Sequence, residues 1–258
     1  MSMSDEVFLD WIRGRSGKDV RLLVGYDYVG CARDVSMCQL WLYTLVVSIA
    51  ARRIVEIGVA DGSTTIPLLK GAEEMGGIVH SVDPCICTEA NALVDAFGYR
   101  KIWTFHFETS DEFFTHYNDS IDLAFIDGDH RCSAVTKDIR NVLSRLSPGG
   151  FVLLHDWNPN SLDNIEKSAK DFPEDDTVCG VSRALASGVL EEFLPIYVFP
   201  VFPEQFNWNS GLPRKNGAEG KFLLLQKPAP VGPEVSYWKE LGLWGVEKKG
   251  ACEKCESL

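Results

Sequence analysis

The chain of 258 residues is long enough for one α/β domain with a full core, and its 45% apolar and 11% aromatic residues exclude a disordered polypeptide. Its formal net charge of −12 argues against nucleic acid and anionic membranes as partners, because both are bound through clustered Lys and Arg. The N-terminus lacks a basic flank followed by an apolar run, and the eight cysteines do not form the dense spacing of a small secreted scaffold. We therefore expect a cytoplasmic protein with mostly free thiols.

Three segments are predicted along the chain: an N-terminal helical or loop segment over 1–35, a main domain over 36–230, and a C-terminal tail over 231–258. The apolar stretch Met37–Ala51 is interrupted by polar residues and is shorter than the roughly 20 residues that a bilayer span requires. It predicts a buried helix.

In the middle of the chain, short apolar runs alternate with amphipathic stretches of helical length, which is typical of βαβ units. The predicted strands are Arg53–Ile57, Ile78–Val82, Trp103–Phe107, Leu123–Ile126, Phe151–His155, Pro195–Val201 and Lys221–Gln226. The first five are rich in β-branched or aromatic residues, as expected of parallel strands buried on both faces. The last two resemble a hairpin-like pair. The sequence thus predicts an α/β fold of the Rossmann-like, doubly wound type, with a mostly parallel seven-stranded sheet, one antiparallel strand near its edge, and helices on both faces.

The clearest helix is predicted from an apolar stripe formed by Val135, Ile139, Val142, Leu143 and Leu146. We expect the turn-forming run Ser147–Gly150 to end it. Ser110 is predicted to cap another helix, with Asp111 and Glu112 in its first turn, where the helix dipole favours acids. Two later helical patterns cover Leu162–Phe172 and Val181–Phe193.

The segment RRIVEIGVADGST joins a predicted strand to a turn of small residues and then to a helix opening at Ser63. Small residues let a ligand approach the backbone closely, and a helix N-terminus offers unpaired amides. The turn therefore predicts a nucleoside-type cofactor. A dinucleotide fingerprint would require glycine where this chain has Ala60 and Ser63, which weakens the interpretation as a dehydrogenase. The candidate cofactor-binding residues of the turn are Glu56, Gly58, Ala60, Asp61, Gly62 and Ser63.

This turn resembles the first motif of class I S-adenosylmethionine-dependent methyltransferases, an acid followed by three spaced small residues. The resemblance implies that Glu56 and the turn hold the methionine end of S-adenosylmethionine. Asp83 ends the second predicted strand, where a ribose-binding carboxylate lies in such a fold. As the alternative, Asp83 is a solvated loop residue.

A third cluster, IDLAFIDGDHRCSAVTKDI with LSPGGFVLLHDW, resembles the subfamily of these methyltransferases that carries Asp-Gly-Asp-His after the fourth strand and His-Asp after the fifth. That subfamily includes small-molecule and sugar O-methyltransferases of natural-product pathways, and the resemblance covers approximately residues 36–227. It implies an enzyme that transfers a methyl group to a small-molecule acceptor, with a hydroxyl oxygen as the expected target. It also implies that Ser110 and Asp111 contact the adenine ring, although helix capping alone explains both.

Asp127 and Asp156 end neighbouring predicted strands and should face one cleft. Two carboxylates in one cleft can hold a divalent cation such as Mg²⁺, with Asn158 as a further ligand. The resemblance implies that, in metal-dependent relatives, the cation holds substrate hydroxyls and lowers their pKa. His155 departs from the sugar-methylating relatives, which carry a second acid there.

The metal-free alternative uses His130 or His155 as the general base that removes a hydroxyl proton. The candidate catalytic residues are therefore Asp127, His130 and His155. In the structural alternative, Asp127 and Asp129 cap the following helix, and the two histidines are core residues that bond loop carbonyls. The other histidines, His80, His106 and His116, are interpreted as structural.

The segments 26–34 and 202–220 are predicted to select the substrate. In the second, Phe206, Trp208 and Pro213 either cover a ring-shaped substrate or pack on the surface. Cys252 and Cys255 lack a partner pair for a zinc site and are interpreted as peripheral thiols.

Trp238 and Trp244 are expected to pack the tail against the body or against a second subunit, which leaves a homo-oligomer open. Two further functions stay open: a Rossmann oxidoreductase or hydroxylase, and a non-methylating binding protein that keeps the cofactor fold.

Overall fold

The computed structural model describes residues 39–155, 180–181, 184, 206–207, 212–213 and 222–229. Within these residues, strands and helices alternate from residue 39 onward. The helices are α1 (Gln39–Ser48), α2 (Thr65–Met75), α3 (Thr88–Ala96), α4 (Ser110–His116) and α5 (Cys132–Arg145). The strands are β1 (Arg53–Ile57), β2 (Ile78–Val82), β3 (Trp103–His106), β4 (Ile121–Ile126), β5 (Leu146–His155), β6 (Phe206–Asn207), β7 (Leu212–Pro213) and β8 (Phe222–Gln226).

Six of the described strands form one sheet in the order β3-β2-β1-β4-β5-β8. The pairs β1–β2, β1–β4, β2–β3 and β4–β5 are parallel, whereas β5 and β8 are antiparallel. The short strands β6 and β7 pair only with each other in the described part of the chain. The predicted α/β fold with one antiparallel edge strand is confirmed. The sheet has six strands where seven were predicted, because the predicted strand Pro195–Val201 lies outside the described residues.

The sheet has a hydrophobic core on each face, because successive side chains of a strand point to opposite sides. In β1, Ile54 belongs to the core that includes Leu42 of α1 and Leu69 of α2. The next residue, Val55, belongs to the core that includes Ile139 of α5. Helices therefore cover both faces, as the doubly wound pattern predicted.

Helix α1 confirms the buried helix predicted within Met37–Ala51, since Leu42 and Val46 are fully buried. Among the described residues, no helix combines the length and the apolar character that crossing a membrane requires.

The run Ser147–Gly150 differs from its predicted role as a helix-ending turn. Helix α5 does end at Arg145, but the run forms the start of β5. The amide of Gly149 donates to the carbonyl of Lys227 at 3.0 Å, and the amide of Lys227 donates to the carbonyl of Gly150 at 2.9 Å. Pairing with a residue far along the chain thus makes this turn-forming sequence part of a strand.

Several predictions lie outside the described residues, among them the segment 1–35, the helix Leu162–Phe172, most of the helix Val181–Phe193, and the tail 231–258. Val181 and Ala184 of that second helix are described, and both are helical.

Candidate active site

The turn after β1 is where three strands converge at their carboxyl ends. The amide of Gly58 donates to the carbonyl of Val82 at 3.0 Å, and the amide of Asp127 donates to the carbonyl of Ile57 at 2.8 Å. Gly58 has φ +89°, and a Cβ placed on it would lie 2.1 Å from the carbonyl oxygen of Asp127. Glycine is required here because the ends of β1 and β4 touch, and not only because a ligand approaches.

Asp83 joins the end of β2 to this turn. Its Oδ2 accepts hydrogen bonds from the amides of Val59 at 2.9 Å and Ala60 at 3.4 Å, and its Oδ1 accepts one from the amide of Cys85 at 2.8 Å. The carboxylate is thereby held over the turn that follows β1.

Glu56, predicted as a cofactor-binding residue, is buried and is not among the residues that line the cleft described below. Its side chain is 0% exposed, and its carboxylate accepts hydrogen bonds from three hydroxyls: Thr64 Oγ1 at 2.6 Å, Thr65 Oγ1 at 2.8 Å and Ser81 Oγ at 2.6 Å. Burial raises the pKa of Glu56 to about 7, against the opposing effect of these hydrogen bonds. These hydrogen bonds link β1 to β2 and to the start of α2, so Glu56 stabilises the elements on either side of the turn.

Asp61, Gly62 and Ser63, also predicted as cofactor-binding residues, make contacts within the turn and with α3. Asp61 Oδ1 accepts hydrogen bonds from the amide of Ser63 at 3.1 Å and from its hydroxyl at 2.6 Å. Gly62 lies against Ala90 of α3. None of the three lines the cleft described next, so they shape the turn and the entry to α2, which begins two residues later than expected.

A cleft of about 650 Å³ lies at the carboxyl ends of β1, β2 and β4, bounded by the starts of α4 and α5. Six of the predicted cofactor-binding residues line it: Gly58, Ala60, Asp83, Ser110, Asp111 and Asp127. Its charged lining consists of five carboxylates and two cations, namely Asp83, Asp111, Asp127, Asp129, Asp138, Arg131 and Lys137. The cleft is acidic, which favours a cationic ligand.

The three residues predicted as catalytic lie close together, and of the three only Asp127 lines this cleft. Asp127 Oδ1 lies 3.1 Å from His130 Nε2 and 3.0 Å from His155 Nδ1. His155, at the end of β5, is 6% exposed, Asp127 is 20% exposed, and His130 is 46% exposed. We name these residues the Asp-His-His cluster. The other predicted metal ligands, Asp156 and Asn158, lie outside the described residues.

Asp127 does not cap α5, the helix that follows it. The N-cap of α5 is Arg131, whose side chain makes no capping bond. Asp129 accepts a hydrogen bond from the amide of Arg131 at 3.0 Å and also pairs with its guanidinium, so Asp129 has the local structural role. Asp127 is directed toward the two histidines.

The comparisons with known proteins agree with this architecture. Residues 55–157 match the family of the methyltransferase domain, whereas no curated protein matches the chain in sequence. The chain is similar in structure to a provisionally assigned O-methyltransferase from Klebsiella pneumoniae, with TM-score 0.56, 17% identity, and coverage of 86% of this chain and 90% of that one. It is also similar to cofactor-bound Rv0187 from MTB, with TM-score 0.55, 16% identity, and coverage of 89% and 100%.

A third similar structure is the O-methyltransferase TomG from Streptomyces achromogenes, which is involved in tomaymycin synthesis and was crystallised with SAM. Its TM-score is 0.52 at 17% identity, with 72% of this chain and 86% of that chain covered. The described residues therefore have the fold of these O-methyltransferase structures, and residues 55–157 match a methyltransferase domain. The cleft lies at the carboxyl ends of the parallel strands, where ligands bind in open α/β sheets.

Thr109 is a residue of the cleft lining that the sequence analysis missed. It caps α4 in a capping box with Glu112, accepting from the amide of Glu112 at 3.3 Å while the amide of Thr109 donates to the Glu112 carboxylate at 2.9 Å. Ser110, predicted as the cap, is instead the first helical residue, and its hydroxyl donates to Asp138. The Thr-x-x-Glu spacing is the signal that could have identified the cap.

Asp138 is the second residue of the cleft lining that the sequence analysis missed. It is 4% exposed, it lies on α5 within the cleft lining, and burial raises its pKa to about 6. An acid directly beside Ile139 on the apolar stripe of α5 was the available signal, because a buried carboxyl requires a partner from another element. That partner, Ser110, comes from a different helix.

His80, His106 and His116 do not line this cleft. His80 Nδ1 lies 3.0 Å from His106 Nε2, and His116 Nε2 lies 3.0 Å from Glu108. Burial lowers the pKa of both His80 and His106. These contacts are consistent with structural roles between β2, β3 and α4.

Proposed function

We propose that the protein transfers the methyl group of S-adenosylmethionine to a hydroxyl oxygen of a small-molecule acceptor. The observation that carries this proposal is that Asp83 and Asp127, which follow β2 and β4, line one cleft of the methyltransferase domain. Ligands of open α/β sheets bind outside the carboxyl ends of the strands. The structures of TomG with SAM and of the Bacillus cereus O-methyltransferase with SAH support this cofactor for a related fold.

The charge of the cleft favours an adenosyl sulfonium over a dinucleotide. Five carboxylates and two cationic side chains line it, and Arg131 is already paired with Asp129. The sulfonium of S-adenosylmethionine is positive, whereas the pyrophosphate of NAD is negative. In addition, the amides of Val59 and Ala60 donate hydrogen bonds to Asp83. A pyrophosphate requires amide donors of this kind at such a turn, and here they are already bonded to a carboxylate.

Residues of the chain fit the parts of this cofactor. S-adenosylmethionine, when bound, supplies a methyl group on a positively charged sulfur. Asp83 would accept hydrogen bonds from the ribose hydroxyls, and Ser110 and Asp111 lie at the wall where the adenine ring would be contacted. The turn at Gly58 and Ala60 presents little side chain to the ligand.

The Asp-His-His cluster is the group that we assign to the acceptor hydroxyl. His130 is the most exposed member and follows Asp129, which lines the cleft, whereas His155 is buried and contacts Asp127 from the end of β5. A histidine beside a carboxylate is suited to proton transfer near neutral pH. Holding the hydroxyl in line with the methyl group converts a bimolecular encounter into a unimolecular step.

Calorimetric titration of the full chain with S-adenosylmethionine, S-adenosylhomocysteine and NAD tests the cofactor. We expect the two adenosyl compounds to bind and NAD not to bind. Asp83→Asn should weaken binding of S-adenosylmethionine about 10-fold to 100-fold, because a hydrogen bond to a charged group contributes about 1.5–3 kcal/mol. Asp119→Asn, at an exposed acid outside the cleft, is the matched control and should bind as the wild type does. Binding of NAD without the adenosyl compounds would contradict the proposal.

The acceptor atom that receives the methyl group is identified with S-adenosylmethionine carrying a ¹³C-labelled methyl group and a panel of hydroxylated aromatic and sugar acceptors. A methoxy carbon in the product spectrum is expected. His130→Gln should lower turnover and leave cofactor binding unchanged, whereas His116→Gln should alter neither. A labelled N-methyl or S-methyl product would refute the assignment to oxygen.

A further inference from the structure

We infer that His106 is a positioning residue of the cleft, and that its contact with His80 makes cofactor binding sensitive to acid. The identity of the ligand, an adenosyl compound, rests on the proposed function, whereas the contacts of the two imidazoles carry the rest. We name His80 and His106 the histidine pair.

His106 joins the histidine pair to two walls of the cleft. Its main-chain carbonyl accepts a hydrogen bond from the amide of Asp83 at 3.1 Å. Shortly after it along the chain, Thr109 caps α4 and Ser110 begins that helix. Asp83, Thr109 and Ser110 all line the cleft. A displacement of His106 would therefore affect both the carboxylate that follows β2 and the start of α4.

The two imidazoles of the histidine pair are in hydrogen-bond contact across neighbouring strands. His80 Nδ1 on β2 lies 3.0 Å from His106 Nε2 on β3. His106 Nδ1 lies 3.3 Å from Glu108 Oε1, and because a carboxylate can only accept, neutral His106 carries its proton on Nδ1. His106 Nε2 is then the acceptor and His80 Nδ1 the donor. When both rings are protonated, two N–H groups face each other and this hydrogen bond is lost.

The surroundings of the histidine pair disfavour a second positive charge. The ring of Phe113, which is 0% exposed, has its centroid 6.4 Å from that of His80 and 4.7 Å from that of His106. Among the described residues, the titratable side chains that face the pair are Glu108, His116, Tyr117 and Asp119. Within the same part of the chain, Glu108 is the carboxylate in contact with the pair, and it also contacts His116 at 3.0 Å. One carboxylate is thus shared between the pair and a third imidazole.

Acid should therefore weaken cofactor binding. Burial lowers the pKa of both His80 and His106, so the two rings are neutral above the ordinary histidine pKa of 6.5 and become charged only below it. The contacts that hold Asp83 and the start of α4 belong to the neutral pair. The affinity for the cofactor is then full above this pH and falls as the pH falls below it.

The test measures binding of S-adenosylhomocysteine to the full chain by calorimetry, with circular dichroism to verify folding. Between about pH 7.5 and about pH 5.5 we expect the dissociation constant of the wild type to rise about 10-fold. The rise should be at least about 3-fold smaller for His80→Gln, because an uncharged amide can still donate to His106 Nε2. His116→Gln is the matched control, since it removes an imidazole beside Glu108 and leaves the pair intact, and it should keep the rise of the wild type.

Hydrogen exchange of the Asp83 amide gives a readout that needs neither a variant nor a ligand. This amide donates to the carbonyl of His106, so its protection factor, corrected for the intrinsic exchange rate at each pH, should fall at least about 5-fold over the same pH range. The amide of Asp127, which donates to the carbonyl of Ile57 at 2.8 Å, is the control and should keep its protection.

Equal rises in the dissociation constant for the wild type and His80→Gln would overturn the role of the histidine pair and leave the proposed function standing. An Asp83 amide that keeps its protection as well as the Asp127 amide does would overturn it too. If S-adenosylhomocysteine bound at neither pH, the proposed function would be refuted. Loss of protection at Asp83 would then still support His106 as the positioning residue, and retained protection would refute it.

Discussion

Replacing Gly58 with alanine tests whether the turn after β1 is limited by backbone contact. A Cβ at this position would lie 2.1 Å from the carbonyl oxygen and 2.5 Å from the carbonyl carbon of Asp127. Both atoms belong to the main chain, so no side-chain rotation can relieve the overlap. Gly76 is a matched control: it has φ +64° at the C-terminal cap of α2, and nothing lies within 4 Å of a Cβ placed there.

The expected magnitudes follow from this difference. At Gly76, left-handed backbone costs alanine about 1–2 kcal/mol, of which the lower entropy of the unfolded variant offsets about 0.4–1 kcal/mol. At Gly58, displacing β4 from β1 adds an overpacking cost of about 1–3 kcal/mol. For a protein of this size each kcal/mol changes the melting temperature by about 2–4 °C, so Gly58→Ala should lower it by about 10 °C and Gly76→Ala by about 3 °C.

Differential scanning calorimetry of the wild type and both variants measures these changes, and titration with S-adenosylmethionine should show weaker binding only for Gly58→Ala. If Gly58→Ala were no less stable than Gly76→Ala, β1 and β4 would not be in contact at this turn. The assignment of Gly58 to strand convergence would then be wrong.

Two predictions concern pH. Burial raises the pKa of Glu56 to about 7, so the stabilisation that its protonated form provides is complete below the ordinary pKa of 4.5 and is lost as the pH rises through about 7. Between about pH 5 and pH 8, the free energy of unfolding in urea should therefore fall less for Glu56→Gln than for the wild type. Equal losses in the two proteins would contradict the burial of this carboxyl. Burial lowers the pKa of His80 and His106, so the folded state should lose stability as the pH falls below about 6.5. NMR titration should give both histidines a pKa below that of a solvated imidazole, and a pKa at or above that of a solvated imidazole would refute the buried arrangement.

Much of the fold could be predicted from local patterns. The bounds of β1 and β2 agree with the prediction because each is a short apolar run between polar or small residues. The start of β5 could not be predicted in this way. Ser147–Gly150 has the composition of a turn, and only its pairing with Lys227, far along the chain, makes it part of a strand.

The candidate site, like the fold, could be predicted from the sequence only in part. The sequence named Asp127, His130 and His155 as catalytic candidates from their motifs, and the structure places both histidines next to Asp127. The position of Glu56 did not follow, since the hydroxyls that bind it come from α2 and β2, and a linear motif does not tell which way the side chain points. Asp138 was missed because its partner lies on another helix.

The antiparallel pairing of β5 with β8 has a consequence for how this scaffold can diversify. His155, the last residue of β5, is the register partner of Phe222, the first residue of β8, so the chain between them leaves and re-enters the sheet at adjacent points. Because closing a loop between fixed neighbours costs only about 0.6 kcal/mol more for each doubling of its length, insertions next to these two anchors burden the sheet very little. Val181 and Ala184 lie between the anchors and are buried in the core on one face of the sheet, so an exchanged segment has to keep both residues. A chimera that keeps them and carries a foreign insertion next to an anchor should melt near the temperature of the parent.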